Sequence, residues 1–233
     1  MLSDDFMNEN DTTAYNNFLE LSQFPYKILE LLIGEDSDEE TETMKKGVPT
    51  RIAELWKMLK YNTIDCLDEK YNKTTKKLEP VKPYLSYKER EALIWDGQSN
   101  EGDYSVFIKP LIGESLVDSE KQVQLRFYRL NIAPITRNRA TICFEFDIIT
   151  NEKTCLVKRN KILMERTDII ETTLMSFLNG RDIGIGNSFL SFDKELTRTC
   201  SSNLNISNSK TLYGRSFVMG LVYSDAEVGG ICG

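Results

Sequence analysis

The stretch that decides the fold is Thr141-Ile142-Cys143-Phe144-Glu145-Phe146-Asp147-Ile148-Ile149-Thr150. Large apolar side chains occupy its even positions from 142 to 148 and alternate with polar or small ones. This is the period of two that a β-strand gives to its two faces. One face of the strand is therefore predicted to lie against a core. The segment 123–130 alternates similarly and is predicted to pair with it in antiparallel fashion.

Further strands and one strong helical pattern complete the predicted core. The other predicted strands are 104–109, 187–194 and 213–223, and residues 133–139 are predicted to be a connecting loop. Residues 161–178 have the longest helical periodicity, with one apolar stripe made of Ile162, Leu163, Ile169, Ile170, Leu174, Phe177 and Leu178. Strands arranged around one helix predict an α+β fold, in which a small antiparallel sheet packs on one long helix.

The first 47 residues differ in composition from the rest. Residues 24–33 are predicted to form a short helix, and six carboxylates follow it within residues 35–42. Residues 1–47 are therefore predicted to be a flexible acidic arm that carries a docking helix, with simple disorder as the alternative. The candidate partner contacts on this helix are Phe24, Tyr26, Leu29 and Leu32.

Residues 48–233 are predicted to form a single core domain. Two amphipathic or capped segments, at 50–59 and 87–95, predict helices before the first strand. Ser86 and Glu89 have the spacing of a capping box, in which the side chain of each residue accepts a hydrogen bond from the backbone N–H of the other.

The composition argues against much of known catalysis. A chain of 233 residues fits one domain, or one domain with arms. It has no histidine, which excludes Ser-His-Asp and Cys-His arrangements and histidine metal ligands. Its five cysteines form no CxxC pair, which favours reduced thiols without structural zinc. We expect no enzyme activity, no cofactor, no metal and no membrane span.

Motifs that invite a ligand have simpler explanations. Gly180, Gly184 and Gly186 follow a predicted helix and precede a strand, whereas phosphate-binding loops precede a helix. The acidic run 35–42 lacks the central glycine and the distant glutamate of a calcium loop. Carboxylate pairs such as Asp65 with Asp68 are expected by chance among 36 acidic residues.

The net charge is −7, yet the middle of the chain is locally basic. Its arginines could form a nucleic-acid patch, a polar sheet face, or a contact with an acidic surface of a neighbouring subunit or partner. The acidic total opposes phosphate binding and favours the last two interpretations. The candidate inter-subunit or partner contacts are Arg126, Arg129, Arg137 and Arg139.

Two groups of segments carry a resemblance to a known class. One group is made of residues 56–63, 85–90 and 95–97, and the other of residues 130–137, 168–180 and 184–187. Together these segments resemble the neck, or head–tail connector, proteins of tailed-bacteriophage virions, including those of crAss-like phages. The likeness covers roughly residues 48–223 and leaves out the acidic arm.

The resemblance implies a non-enzymatic virion protein that forms a homo-oligomeric ring between portal and tail, twelvefold by matching a portal. Portal and adjacent neck or tail proteins are the implied partners. Double-stranded DNA would pass through the channel without specific binding, because a lumen of like charge repels it. Sheet edges and the loops 110–122 and 196–211 are predicted contacts between copies.

Other functions remain open at this stage. A tail terminator or stopper ring is the alternative within the same class. A non-enzymatic cytosolic adaptor, which binds one partner through the N-terminal arm, is the alternative from a different class. An enzyme with clustered carboxylates ranks third.

Overall fold

The computed structural model describes residues 23–97, 102–108, 123–136, 139–183, 189–195, 197 and 212–224. The fold is α+β, as the sequence predicts. Helix α1 spans residues 23–33. Three further α-helices follow in the described part of the chain: α2 (Thr50–Lys60), α3 (Tyr87–Glu91) and α4 (Arg166–Leu178). The capping box at the start of α3 is confirmed, with the Ser86 backbone N–H donating to Glu89 Oε2 at 2.8 Å.

The strands form one central sheet and three separate hairpins in the described part of the chain. In chain order they are β1 (Met44–Lys45), β2 (Val48–Pro49), β3 (Glu69–Asn72), β4 (Lys77–Pro80), β5 (Val106–Phe107), β6 (Val123–Thr136), β7 (Arg139–Asn151), β8 (Leu156–Arg159), β9 (Ile162–Glu165), β10 (Ser191–Phe192) and β11 (Leu212–Ser224). The central sheet has the order β10-β11-β7-β6-β5, and the hairpins are β1–β2, β3–β4 and β8–β9.

The three long strands of the central sheet follow the predicted alternation. β7 pairs antiparallel with β6 on one side and with β11 on the other. The register places Phe127, Phe146 and Phe217 in one row, where their ring centroids lie 5.7 and 4.8 Å apart. Such stacked pairs add about 0.5–1.5 kcal/mol beyond the apolar area they bury.

Two details of the predicted sheet are wrong. Residues 133–139 were predicted to be a loop, but β6 and β7 remain paired as far as Thr136 and Arg139. Irregularities on either side of Pro134 allow this, because a bulge accommodates a residue that has no N–H to donate. The sheet is also mixed, since β5 runs parallel to β6. Residues 108–122 provide the long connection that a parallel pair requires.

The predicted long helix begins five residues later than expected. Asn160 and Lys161 have φ values of 50° and 69°, which is the left-handed backbone of a tight two-residue hairpin turn. This turn joins β8 to β9, so residues 162–165 are a strand rather than a helical turn. Ile162 and Leu163 are 64% and 57% exposed and do not belong to the apolar stripe of α4.

Three helices cover one face of the sheet and share a single core with it. α2 contacts β6, whereas α4 contacts β7 and β11. The ring centroid of Phe24 in α1 lies 5.2 Å from that of Phe144, and the Trp56 Nε1–H donates to the Leu32 carbonyl at 2.7 Å. Each fully buried apolar side chain contributes about 1.5–3 kcal/mol.

The predicted domain boundary at residue 47 does not separate an arm from a core. Residues 23–47, the described part of the predicted arm, begin with a helix whose apolar side chains belong to the same cluster as the sheet. Residues 1–22 lie outside the described part of the chain, as do the predicted contact loops 110–122 and 196–211 apart from Thr197. None of the helices in the described ranges has the length and apolar character that crossing a membrane requires.

Candidate interaction surface

The predicted docking helix is occupied by its own core. Phe24, Leu29 and Leu32 are 0%, 8% and 1% exposed, so they cannot serve as the partner contacts that the sequence predicted. The sequence could not show this, because an amphipathic helix looks the same whether its apolar face meets another protein or its own sheet. Tyr26 lies on the opposite side of α1 and is exposed.

Arg126 is half-buried and lies on the polar face of the sheet. It lies directly across from Asp147 in the sheet, and its Nη2 donates to Gln124 Oε1 at 3.0 Å. Burial lowers its pKa, and the charge of Asp147 opposes that change. That Arg126 contacts a partner stays a prediction, although its side chain already has partners within the sheet.

The other three predicted arginines have different outcomes. Arg129 is exposed and stays a candidate contact. Arg137 lies outside the described residues. Arg139 pairs through its backbone with Thr136 and Ser224, and its side chain is not described.

The sheet face that holds Arg126 contains a buried polar cluster. The Ser216 hydroxyl donates to Glu145 Oε1 at 2.7 Å, and the Tyr128 hydroxyl donates to Asp147 Oδ2 at 3.4 Å. Glu145 and Asp147 are both almost fully buried. Burial, reinforced by the neighbouring Glu145, raises the pKa of Asp147 to about 6. Burial likewise raises the pKa of Tyr128.

The β3–β4 hairpin is a projecting element. Its two strands form their own sheet, and every residue from 73 to 78 is exposed. Asn72 closes the turn: its Oδ1 accepts from the Thr74 N–H at 2.8 Å, and its Nδ2 donates to Glu79 Oε1 at 2.9 Å. These hydrogen bonds lower the pKa of Glu79 and hold a turn that has little core beneath it.

Asp68 connects the two exposed hairpins. Its Oδ1 accepts from the Asn160 N–H at 2.9 Å, and its Oδ2 lies 3.3 Å from Lys158 Nζ. Its backbone carbonyl accepts from the Val81 N–H at 2.9 Å. One carboxylate thus joins the turn of β8–β9 to the base of β3–β4, so the two hairpins form a single surface.

This hairpin surface, defined as Ile64 with the two hairpins β3–β4 and β8–β9, concentrates the exposed apolar residues. Six of the eight large apolar side chains that are exposed in the described part of the chain lie on it: Ile64, Tyr71, Leu78, Leu156, Ile162 and Leu163. Tyr71 and Leu78 are direct cross-strand neighbours. Scattered exposed apolar residues are ordinary, but their concentration on two adjoining hairpins is typical of an interaction site.

A groove adjoins the hairpin surface. It has a volume of about 530 Å³ and lies between α2, α4 and β8–β9, where Arg51, Glu54, Arg159 and Asp168 supply charges of both signs. Arg159 Nη2 lies 2.9 Å from Glu54 Oε1, so part of this charge is already neutralised within the chain.

Two fully buried arginines attach exposed segments to the core. Arg166 Nη1 donates to the carbonyls of Met58 and Tyr61, and its Nη2 donates to that of Thr63, which fixes the segment that leads to the hairpin surface. Arg90 donates to the carbonyls of Lys46, Leu85 and Glu35. Neither guanidinium has a carboxylate within ion-pairing distance among the described residues.

No protein-family model and no curated protein matches this chain.

Proposed function

We propose that this protein is a structural subunit that works by self-association, as a neck or head–tail connector ring protein of a tailed-phage virion. The observation that carries the proposal is the hairpin surface, where exposed apolar residues are concentrated on two hairpins that extend from the core. The sequence resemblance supplies the virion context. A tail terminator or stopper ring is the alternative within this class.

The adaptor hypothesis has little structural support. It depended on a free docking helix, but the apolar face of α1 is buried against the chain's own sheet. The exposed apolar residues of the hairpin surface favour contacts made by the folded core. Repeated contacts of a head-to-tail kind close into rings, which suits a neck subunit.

The first test has two parts: substitution of apolar residues on the hairpin surface, and detection of the chain in virions. Leu156→Ser with Leu163→Ser is expected to raise the dissociation constant for self-association by about tenfold or more, because the contact between copies then loses two leucines that it would bury. The measurement is light scattering across a concentration series. Mass spectrometry of purified particles should detect the wild-type chain.

The matched control removes two apolar side chains elsewhere. Tyr26→Ser with Phe189→Ser changes residues that are 59% and 62% exposed but lie outside the hairpin surface, and it should leave association unchanged. A chain that is absent from mature particles and monomeric at every concentration would rule out the proposed function.

A further inference from the structure

The β3–β4 hairpin carries an unpaired positive charge as well as apolar residues. Lys70, Lys73, Lys76 and Lys77 are all exposed, and none of them forms an ion pair with a described carboxylate. Glu79 is engaged by Asn72 and Thr75. Lys70 lies across from Glu79 and lowers the pKa of that carboxyl, whereas Lys73, Lys76 and Lys77 have no such neighbour among the described residues.

An acidic loop, residues 35–42, supplies the complementary charge. It has six carboxylates, and Lys46 and the buried Arg90 lie near them: Lys46 Nζ is 3.8 Å from Asp38 Oδ1 and 4.0 Å from Glu40 Oε1, and Arg90 donates to the Glu35 carbonyl. The backbone of the loop is nonetheless fixed. The Glu35 N–H donates to the Gly47 carbonyl at 3.1 Å, and the Lys46 N–H donates to the Glu39 carbonyl at 2.9 Å.

The acidic loop and the basic hairpin are attached to opposite ends of α2. The loop leads into its first residue, where the Thr50 N–H donates to the Thr43 carbonyl at 3.0 Å. The hairpin follows its last residue, Lys60. A helix of 11 residues separates the two attachment points by about 16 Å along its axis. One copy therefore carries the two halves of a complementary pair on separate segments, one before α2 and one after it.

We propose that the basic β3–β4 hairpin of one copy binds the acidic loop 35–42 of a second copy, in a head-to-tail contact. This inference rests on the proposed function and names the contact through which copies associate. Opposite potentials on the two patches steer the encounter and fix the orientation. Because the two patches differ, each copy can bind one neighbour on each side, and such a chain of contacts closes when the rotation permits.

DNA is the other polyanion that the lysines could meet. Two observations favour a protein surface. The cross-strand pair of Tyr71 and Leu78 places exposed apolar area on the same hairpin as the lysines, and a phosphate backbone offers nothing apolar to cover it. The chain as a whole is acidic, which opposes the long-range attraction to phosphate that supplies most non-specific affinity.

The test exchanges the charges of the two patches in separate variants. Lys70→Glu with Lys73→Glu and Lys77→Glu makes both patches acidic, whereas Asp36→Lys with Asp38→Lys, Glu39→Lys and Glu42→Lys makes both basic. Each variant alone is expected to self-associate at least about tenfold more weakly, because like charges then meet. Mixing the two should restore association, since every contact in an alternating assembly is complementary again.

Two further measurements complete the design. Lys88→Glu with Lys153→Glu and Lys194→Glu alters the same number of exposed lysines elsewhere and should leave association unchanged. Wild-type association should weaken as the salt concentration rises, because salt screens exposed charges. Light scattering measures association, and circular dichroism verifies that each variant is folded.

The outcomes separate the inference from the function on which it rests. If both charge variants associate as the wild type does, or if mixing restores nothing, the head-to-tail contact is wrong while a ring made by other contacts stands. The same holds if the lysine variant loses DNA binding and keeps self-association. A wild-type chain that is monomeric yet present in particles also overturns the inference, because copies then do not bind each other directly.

Discussion

Replacing Arg166 by leucine is expected to lower the free energy of unfolding by about 3–5 kcal/mol. The guanidinium is fully buried and donates to three carbonyls, at 2.6 Å to Met58, 2.8 Å to Tyr61 and 3.0 Å to Thr63. These carbonyls lie at and beyond the C-terminal end of α2, where the helix leaves acceptors without partners and carries a partial negative charge. Leucine fills the space but removes the donor from one buried and two partly buried carbonyls.

Chemical denaturation followed by circular dichroism measures this change. Arg51→Leu is the matched control: it makes the same substitution on the exposed side of α2 and should change stability by about 0.5 kcal/mol or less. The loss of stability in Arg166→Lys should lie between those of the two leucine variants. An ammonium retains the charge, but it lacks the planar fork of the guanidinium and cannot reach all three carbonyls. Equal stability of the two leucine variants would show that Arg166 does not support the fold in this way.

Arg166 also illustrates a limit of sequence interpretation. In the sequence it is an arginine among charged neighbours, and arginine side chains are mostly exposed in proteins. What buries it is the meeting of α4 with the end of α2, two elements more than a hundred residues apart. Arg90 is similar, since it is buried by the loop and strand segments to which it donates. Such long-range contacts leave no local pattern.

The sheet was predictable where the pattern is local. The alternation in β6, β7 and β11 depends on the two faces of each strand, and the strands lie where the alternation places them. The alternation did not show that the polar face is buried too. Glu145, Asp147 and Ser216 looked like solvent-facing residues, because polar side chains are the ordinary sign of an exposed face.

The hairpin surface was missed for a different reason. Asn160 marks its second turn, since asparagine tolerates the left-handed backbone, but the helical periodicity of residues 161–178 obscured it. Asn72 marks the first turn within a lysine-rich stretch that reads as a linker. In both cases one asparagine marks a turn, although the residues around it form a longer pattern that indicates a different structure.

The buried polar cluster leads to the second large expected effect, which concerns pH. Asp147 has a pKa of about 6 in the folded protein against an ordinary value of 3.8, chiefly because burial disfavours its charged form. The groups around it are Glu145 on its own strand, Arg126 and Tyr128 on β6, and Ser216 on β11. Glu145 raises its pKa, whereas the other three lower it without offsetting the burial.

The sign of the effect follows from the raised pKa. The folded state binds the proton of Asp147 more tightly than the unfolded state, so this contribution to stability is complete below about pH 4 and is lost as the pH rises through about 6. The difference between about 6 and 3.8 corresponds to about 3 kcal/mol. The side chain of Asp147→Asn carries no charge at any pH. The free energy of unfolding of this variant at pH 7.5 should therefore be higher than that of the wild type by up to about 3 kcal/mol.

The measurement is the free energy of unfolding from pH 4 to pH 8 for both proteins. The wild type should lose stability between about pH 4 and pH 6 relative to Asp147→Asn, and the two curves should run parallel above about pH 7. Asp36→Asn, the same change at an exposed residue, should stay within about 0.5 kcal/mol of the wild type at pH 7.5. If Asp147→Asn is instead the less stable protein at pH 7.5, the ionised carboxylate is a net support of the sheet, and the attraction of Arg126 outweighs the cost of burial.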